Sequence, residues 1–202
     1  MADGRGQGLS GLAFALAWVR NPRRVGAIAP ASRALAQAVA AEVSRVGPEL
    51  LLEIGAGTGA ITRALADLGP PPDRFFIIER DPGLVRHLHH RFPRAEVLHA
   101  CATRLDALPL PAASSLMLVS SLPLLSMPRD EARRCVQAML ALLERQPNAR
   151  LLQYTYAARH VRPFDQLPPG WRWRRVTTVW ANLPPATVWS LEPAAHATHG
   201  IH

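Results

Sequence analysis

The stretch Leu51–Thr62, LLEIGAGTGAIT, ends an apolar run in an acid, Glu53, and follows it with Gly55, Gly57 and Gly59. Glycine carries no Cβ and accepts positive φ, so main chain at Gly55 and Gly57 can lie directly against a ligand. Gly59 lets the helix opening there pack closely on the strand before it. A second acid, Glu79, ends the next apolar run, RFFIIE. An acid about 20 residues beyond such a loop is placed to grip ribose hydroxyls.

The third glycine comes one position earlier than in the dinucleotide fingerprint, and Glu53 at the mouth of the loop would repel a pyrophosphate. The same acid suits an ammonium group. A ligand with ribose at one end and a cationic amino-acid group at the other is S-adenosylmethionine, whose demethylated product is S-adenosylhomocysteine. The residues read as holding it are Glu53, Gly55, Ala56, Gly57, Thr58, Gly59, Glu79 and Arg80. A glycine loop alone is also compatible with an unliganded tight turn. The second acid weighs against that.

The elements that must position these groups follow from pattern. Leu35, Val39 and Val43 recur at four-residue spacing after Pro30 and predict a helix. From Leu50 onward, apolar strands alternate with helices. LLLEI, RFFIIE, AEVLHA, SLMLVSS and RLLQYTY are the strands. The helices span Ala60–Leu68, Pro82 to about Arg91, and PRDEARRCVQAMLALLER, whose early acids and late arginines suit the helix dipole. WRWRRVTTVW and ATVWSLE have no helix between them and predict a hairpin. The expected fold is α/β, a Rossmann-like, mostly parallel sheet with helices on both faces and a C-terminal antiparallel hairpin. Residues 1–48 are expected to form an N-terminal helical extension serving as membrane contact and cofactor lid. Residues 49–192 form the catalytic domain and 193–202 a flexible tail.

The glycine loop with Glu79 resembles class I methyltransferases generally. VRNPRRVGAIAPASRALA, SSLPLLSMP, LLQYTYA and NLPPATVW narrow the resemblance to the bacterial phospholipid N-methyltransferases, over about residues 14–190. That resemblance implies stepwise methylation of phosphatidylethanolamine towards phosphatidylcholine, and adds Ile28, Cys101, Ala102 and Ser120 to the cofactor-binding set. The related rRNA adenine dimethyltransferases carry an Asn-Leu-Pro-Tyr loop that holds a flat base. Here the equivalent positions are Ser121, Leu122, Pro123 and Leu124, with neither amide nor ring. Nucleic acid is therefore not the expected partner; RNA adenine methylation is the chief rival, and a catalytically weak cofactor-binding membrane protein the third reading. Family members also carry Gly-Asp-Ala after the third strand, where this chain reads Ala100, Cys101, Ala102. Losing one charged hydrogen bond to the adenine amine would cost about 1.5–3 kcal/mol, one to two decades in affinity.

Transfer of a methyl from a sulfonium requires a free amine lone pair. A primary ammonium titrates near a lysine, so presenting the neutral amine at pH 7 costs about 4–5 kcal/mol. Desolvation and acceptors aimed at the amine must offset that. The candidates are Ser120, Ser121, Leu122 and the backbone of that loop, with the hydroxyls of Tyr154 and Tyr156. The two tyrosines read equally well as ordinary packing on one face of a strand. No residue stands out as a dedicated general base.

The formal charge is +8 from 23 basic residues, every one an arginine. Arginine forks onto phosphate, and an anionic membrane surface is the expected partner, although codon bias alone also favours arginine. Leu9, Leu12, Phe14, Leu16, Trp18 and Val19 form an apolar stretch, with Arg20, Arg23 and Arg24 beyond. It reads either as a helix in the headgroup layer or as one packed on the domain. Two cysteines in a chain of 202 residues make no disulfide framework. With no signal peptide and no apolar run of about 20 residues, the expectation is a cytoplasmic protein held peripherally at the inner membrane. His87, His89 and His90 cluster without a thiol or carboxylate, so no metal is expected.

Overall fold

In the computed structural model, which describes residues 31–156 and 161–194, the apolar runs LLLEI, FFIIE and LMLVS become wholly buried strands. In order, these residues form α1 (Arg33–Val46), β1 (Leu50–Ile54), α2 (Ala60–Ala66), β2 (Phe75–Glu79), α3 (Pro82–Arg91), β3 (Glu96–His99), β4 (Leu116–Ser120), α4 (Arg129–Arg145), β5 (Arg150–Thr155), β6 (Trp171–Val179) and β7 (Ala186–Pro193), with 3-10 turns at Pro72–Arg74 and Ala102–Ala107. Local chemistry sets the boundaries. The Ser32 side chain caps α1 by accepting from Leu35 N, and Gly47 ends it at φ 61°. Asp81 accepts from the amides of Gly83 and Leu84 and starts α3, with Pro82 at its first turn.

The seven strands lie in the order β3-β2-β1-β4-β5-β7-β6. β1 pairs in parallel with β2 and β4, β2 with β3, and β4 with β5. β7 is antiparallel to both β5 and β6, so the expected hairpin closes one edge of the sheet. The strand order reverses between β1 and β4. In an open α/β sheet, the crevice outside the carboxyl ends of the strands at that point is where ligands bind.

Strand alternation divides the core. Leu51, Ile77, Met117, Val119 and Leu152 face α1, α2 and α3, whose Leu35, Val39, Ile61, Leu65 and Leu88 share one cluster with them. Leu50, Leu52, Ile54, Leu116 and Leu118 face α4, through Cys135, Met139, Leu142 and Leu143. Thus α1, assigned by sequence to an N-terminal extension, is part of the core of one sheet face. An ion-pair network also ties it to the hairpin. Arg174 on β6 pairs with both Glu42 of α1 and Glu192 of β7, and Glu192 takes Arg150 and Arg172 as well. Among the described residues no helix is long and apolar enough to cross a membrane.

Candidate active site

The glycine loop leaves β1 at the switch point. Gly55 N donates to Ile78 O and Ser121 N to Ile54 O, so three strand ends are stitched together beside the loop. Gly55, Gly57 and Gly59 have φ of 71°, 57° and 83°, the left-handed region that glycine adopts without strain. Each has a different neighbour. A Cβ on Gly59 would stand 2.5 Å from the Phe92 ring and one on Gly55 2.8 Å from Leu122, whereas one on Gly57 would meet nothing within 4 Å. Gly59 is therefore a packing glycine. Gly57 faces open space.

Glu79 is almost wholly buried and organises this end of the sheet. Its Oε2 accepts from Gly57 N at 3.0 Å, and its Oε1 from the amides of Arg80 and Asp81 at 2.8 and 3.0 Å. An ionised carboxylate offers about four acceptor positions, which leaves one on Oε2 for a ligand hydroxyl. Glu53 is the opposite case. It is fully buried, and neither oxygen meets a donor. Burial pushes its carboxyl up to about 8; the Thr62 hydroxyl opposes the shift and the Glu79 charge adds to it. A buried acid without a partner beside a ligand loop is poised to receive a cation.

A cavity of about 350 Å³ opens next to the loop, lined by Gly55, Gly57, Glu79, Arg80, Cys101, Ala102, Ser121, Leu122 and Met127 among others. Arg80 crosses its rim to Glu131 at 2.6 Å. Cys101 lines the wall, and the Thr103 hydroxyl donates to its Sγ at 3.2 Å. Hydrogen bonds from the Thr103 side chain and backbone hold the Cys101 thiol below its usual range. Cys135 also lines this cavity, and burial pushes its thiol up to about 11.

Not every residue singled out by sequence meets here. Ser120 does not line the cavity. The pleat turns it towards the α4 face, where it is fully buried and its hydroxyl accepts from Leu122 N at 3.4 Å. It braces the loop instead of facing a substrate. Tyr154 and Tyr156 pack on the other sheet face, edge to face with centroids 5.5 Å apart, and from there Tyr154 reaches Ser121 of the cavity wall and Glu53. Burial pushes both phenols above their usual range; for Tyr154 the Ser121 hydroxyl opposes this and the Glu53 charge reinforces it. Both stay protonated at physiological pH and neither is a base. Ile28, Phe14, Trp18, Arg20, Arg23 and Arg24 lie outside the described residues. One positioning residue escaped the sequence reading. Gln153, buried in β5, donates to Leu122 O at 3.0 Å and to Tyr154 O at 3.2 Å, fixing the loop after β4. An amide inside LLQYT is the signal that marks it. Among the described residues no group of His, Cys, Asp and Glu could hold a metal.

Residues 51–146 match the family described as "Methyltransferase domain", and they contain the loop, both acids and the cavity. These residues are thus similar to class I methyltransferase domains, and the cofactor they fit is S-adenosylmethionine. The residues fit that group: the open Gly57 approach, the spare acceptor on Glu79 and the unpartnered Glu53 carboxyl match backbone contact, ribose and ammonium in turn. The chain is 35% identical over 68 residues to the ornithine lipid N-methyltransferase of Singulisphaera acidiphila, covering 34% of this chain and 35% of that protein. It is 39% identical over 64 residues to ribosomal RNA small subunit methyltransferase A of Mycoplasmoides gallisepticum, covering 32% of this chain and 23% of that protein. The chain thus aligns with about a third or less of the length of these relatives. The magnesium protoporphyrin IX methyltransferase of Synechocystis PCC 6803, solved with bound cofactor, shares the fold at a TM-score of 0.53 and 12% identity, over 94% of this chain and 100% of that one.

Proposed function

We propose that the protein transfers methyl groups to the amine of a membrane lipid, phosphatidylethanolamine and its methylated intermediates, at the cytoplasmic face of the inner membrane. The observation that carries this reading is the chemistry of the loop after β4. Ser121, Leu122, Pro123 and Leu124 offer neither a side-chain amide nor an aromatic ring to a nucleobase. What borders the cavity there is apolar, with Leu122, Pro123 and Met127 in its wall. That wall suits the glycerol and upper acyl region of a lipid better than a base. The similarity to an enzyme named for methylating an ornithine lipid, itself an amine, points the same way.

Bound S-adenosylmethionine supplies a methyl group on a positively charged sulfur, open to in-line attack by an amine lone pair. The chain's own contribution is to orient and to desolvate. Gly55 and Gly57 admit the cofactor to the backbone, Glu79 holds its sugar, and Glu53 answers its ammonium. Gln153 fixes the Leu122 carbonyl, and with it the carbonyls that accept from the amine hydrogens. Ser121 gives a further acceptor. Among the described residues no imidazole lines the cavity, and its carboxylates Glu79 and Glu131 are engaged by backbone amides and by Arg80, so orientation carries the catalysis and the released proton leaves through water or the lipid phosphate.

A second reading, methylation of an RNA adenine, is favoured by the similarity to the ribosomal RNA enzyme. Incubation of purified protein with methyl-labelled cofactor separates the two. Phosphatidylethanolamine in detergent micelles is offered in one arm and total ribosomal RNA in the other. Label in mono-, di- and trimethylated lipid is expected. Label in RNA with none in lipid overturns the proposal.

A further inference from the structure

Five large apolar side chains are exposed among the described residues: Leu68, Leu125, Val161, Trp180 and Leu183. Four of them share one edge of the sheet. Leu125 follows the carboxyl end of β4. Val161 sits at the carboxyl end of β5, where its carbonyl accepts from the Thr155 hydroxyl. Trp180 and Leu183 form the turn between β6 and β7, and the register Thr155↔Thr187 sets that turn at the same edge. These strand ends are neighbours in the order β4-β5-β7-β6, so at about 4.8 Å per strand the ends themselves span only about 14 Å. It is the edge onto which the cofactor cavity opens. Leu68, at the far end of α2, is the exception.

The turn is built to present its apolar groups. Asn182 is 2% exposed, accepts from Ser32 N at 3.0 Å and donates to Pro184 O at 2.7 Å. With that buried amide as a brace, Trp180 stays 60% and Leu183 53% exposed. The Ser32 contact also brings the start of α1 to this turn. The 30 residues before it carry the apolar stretch Leu9–Val19 and three arginines, Arg20, Arg23 and Arg24. Arg162, beside Val161, is exposed as well. Apolar tips with the exposed Arg162 beside them, on a chain of formal charge +8, match one partner in both terms: acyl chains below, anionic headgroups above.

We infer that this rim, centred on Trp180 and Leu183 and bordered by Leu125 and Val161, is the surface by which the protein docks on an anionic bilayer, with the cofactor cavity facing the lipid. The inference deepens the lipid reading above and rests on it for the choice of partner. Docking at the mouth of the cavity lets a headgroup amine enter with its acyl chains still in the membrane.

The test uses the whole chain and vesicles of phosphatidylethanolamine with phosphatidylglycerol. Trp180→Ser with Leu183→Ser, checked for an unchanged circular dichroism spectrum, is expected to lower vesicle partitioning at least about tenfold. Lipids brominated in the acyl chains are expected to quench tryptophan emission of the wild type, and to quench Trp180→Phe less. Equal partitioning of the double variant and the wild type overturns the inference, as does quenching unchanged in Trp180→Phe. A Trp180 emission shift that follows protein concentration and ignores vesicles also overturns it, because a second copy then covers the rim. Methylation of micellar lipid, measured on the same samples, keeps the two proposals apart. A wild type that docks through Trp180 but methylates no lipid leaves the surface standing and sinks the substrate.

Discussion

Cys101 stands where the family resemblance expects an aspartate, and its sulfur already accepts from the Thr103 hydroxyl. A thiol already engaged in this way accepts more weakly than a carboxylate. Cys101→Asp is therefore expected to tighten binding of S-adenosylhomocysteine about tenfold or more, read by titration calorimetry. No gain would mean that backbone already meets the adenine amine. Glu53 makes a second prediction. The groups facing it are Thr62, Glu79 and Tyr154, none of them cationic, and its carboxyl, pushed up to about 8, is mostly protonated at pH 7. An arriving ammonium favours the ionised form, so cofactor binding releases a proton. Apparent affinity should rise with pH between 6 and 8, by at most about tenfold per unit. The binding heat should also differ between buffers of different ionisation enthalpy. Glu53→Gln is expected to abolish that buffer dependence.

Within the glycine loop, residues alike in sequence separate by what surrounds them. Gly59→Ala drives a Cβ to 2.5 Å from the Phe92 ring at φ 83°. It should destabilise the fold by about 2–4 kcal/mol, through left-handed strain plus overpacking. Gly57→Ala meets open space, so only the strain of about 1–2 kcal/mol applies. Yet it fills the approach to the cofactor and should remove binding. Thermal melts with and without cofactor analogue separate these effects. The sequence made the strands and helices legible because each apolar run ends in a breaker: α3 begins at Pro82 as expected, and α2 stops at Ala66 because Leu68 and Gly69 already form the closing turn. What it hid was direction. LLQYTY does not say that Gln153 reaches the Leu122 carbonyl from one sheet face while Tyr154 reaches Ser121 and Glu53 from the other, nor does LVSS say that Ser120 points into the core. Those depend on which sheet face each strand offers to which helix, a tertiary fact. The arginines of WRWRR were legible as alternation, but their partners were not: Glu192 comes opposite Arg172 through β6–β7 pairing, and Glu42 meets Arg174 only when α1 docks on the hairpin.

Over the whole molecule, two buried acids act on stability from opposite sides of the pH scale. Glu42 is nine-tenths buried, and the Arg45 and Arg174 guanidiniums hold its carboxyl below the usual range against the cost of burial. Its contribution is present above the unfolded value of about 4.5 and is lost as pH falls through the lower folded value. Glu53 behaves in reverse. Its folded carboxyl, at about 8, keeps a proton that the unfolded chain surrenders near 4.5, so stability falls progressively between those values as pH rises. The two limbs meet on the acid side of neutrality. The cofactor-free protein is expected to melt highest near pH 5, below the range where proteins usually peak. Glu53→Gln, which keeps the shape and removes the titration, should raise the melting temperature at pH 8 while leaving it nearly unchanged at pH 5. Arg174→Met should do the opposite: it frees two buried carboxylates at the junction of α1 and the hairpin, and should destabilise by about 2–4 kcal/mol at neutral pH and less at pH 4. Adding S-adenosylhomocysteine to the wild type should shift its maximum upward, since the ligand ammonium lets Glu53 ionise without loss. A wild-type maximum at pH 7 or above without ligand would mean that Glu53 is already answered by a cation inside the protein, and the site would then have no place for the cofactor's own.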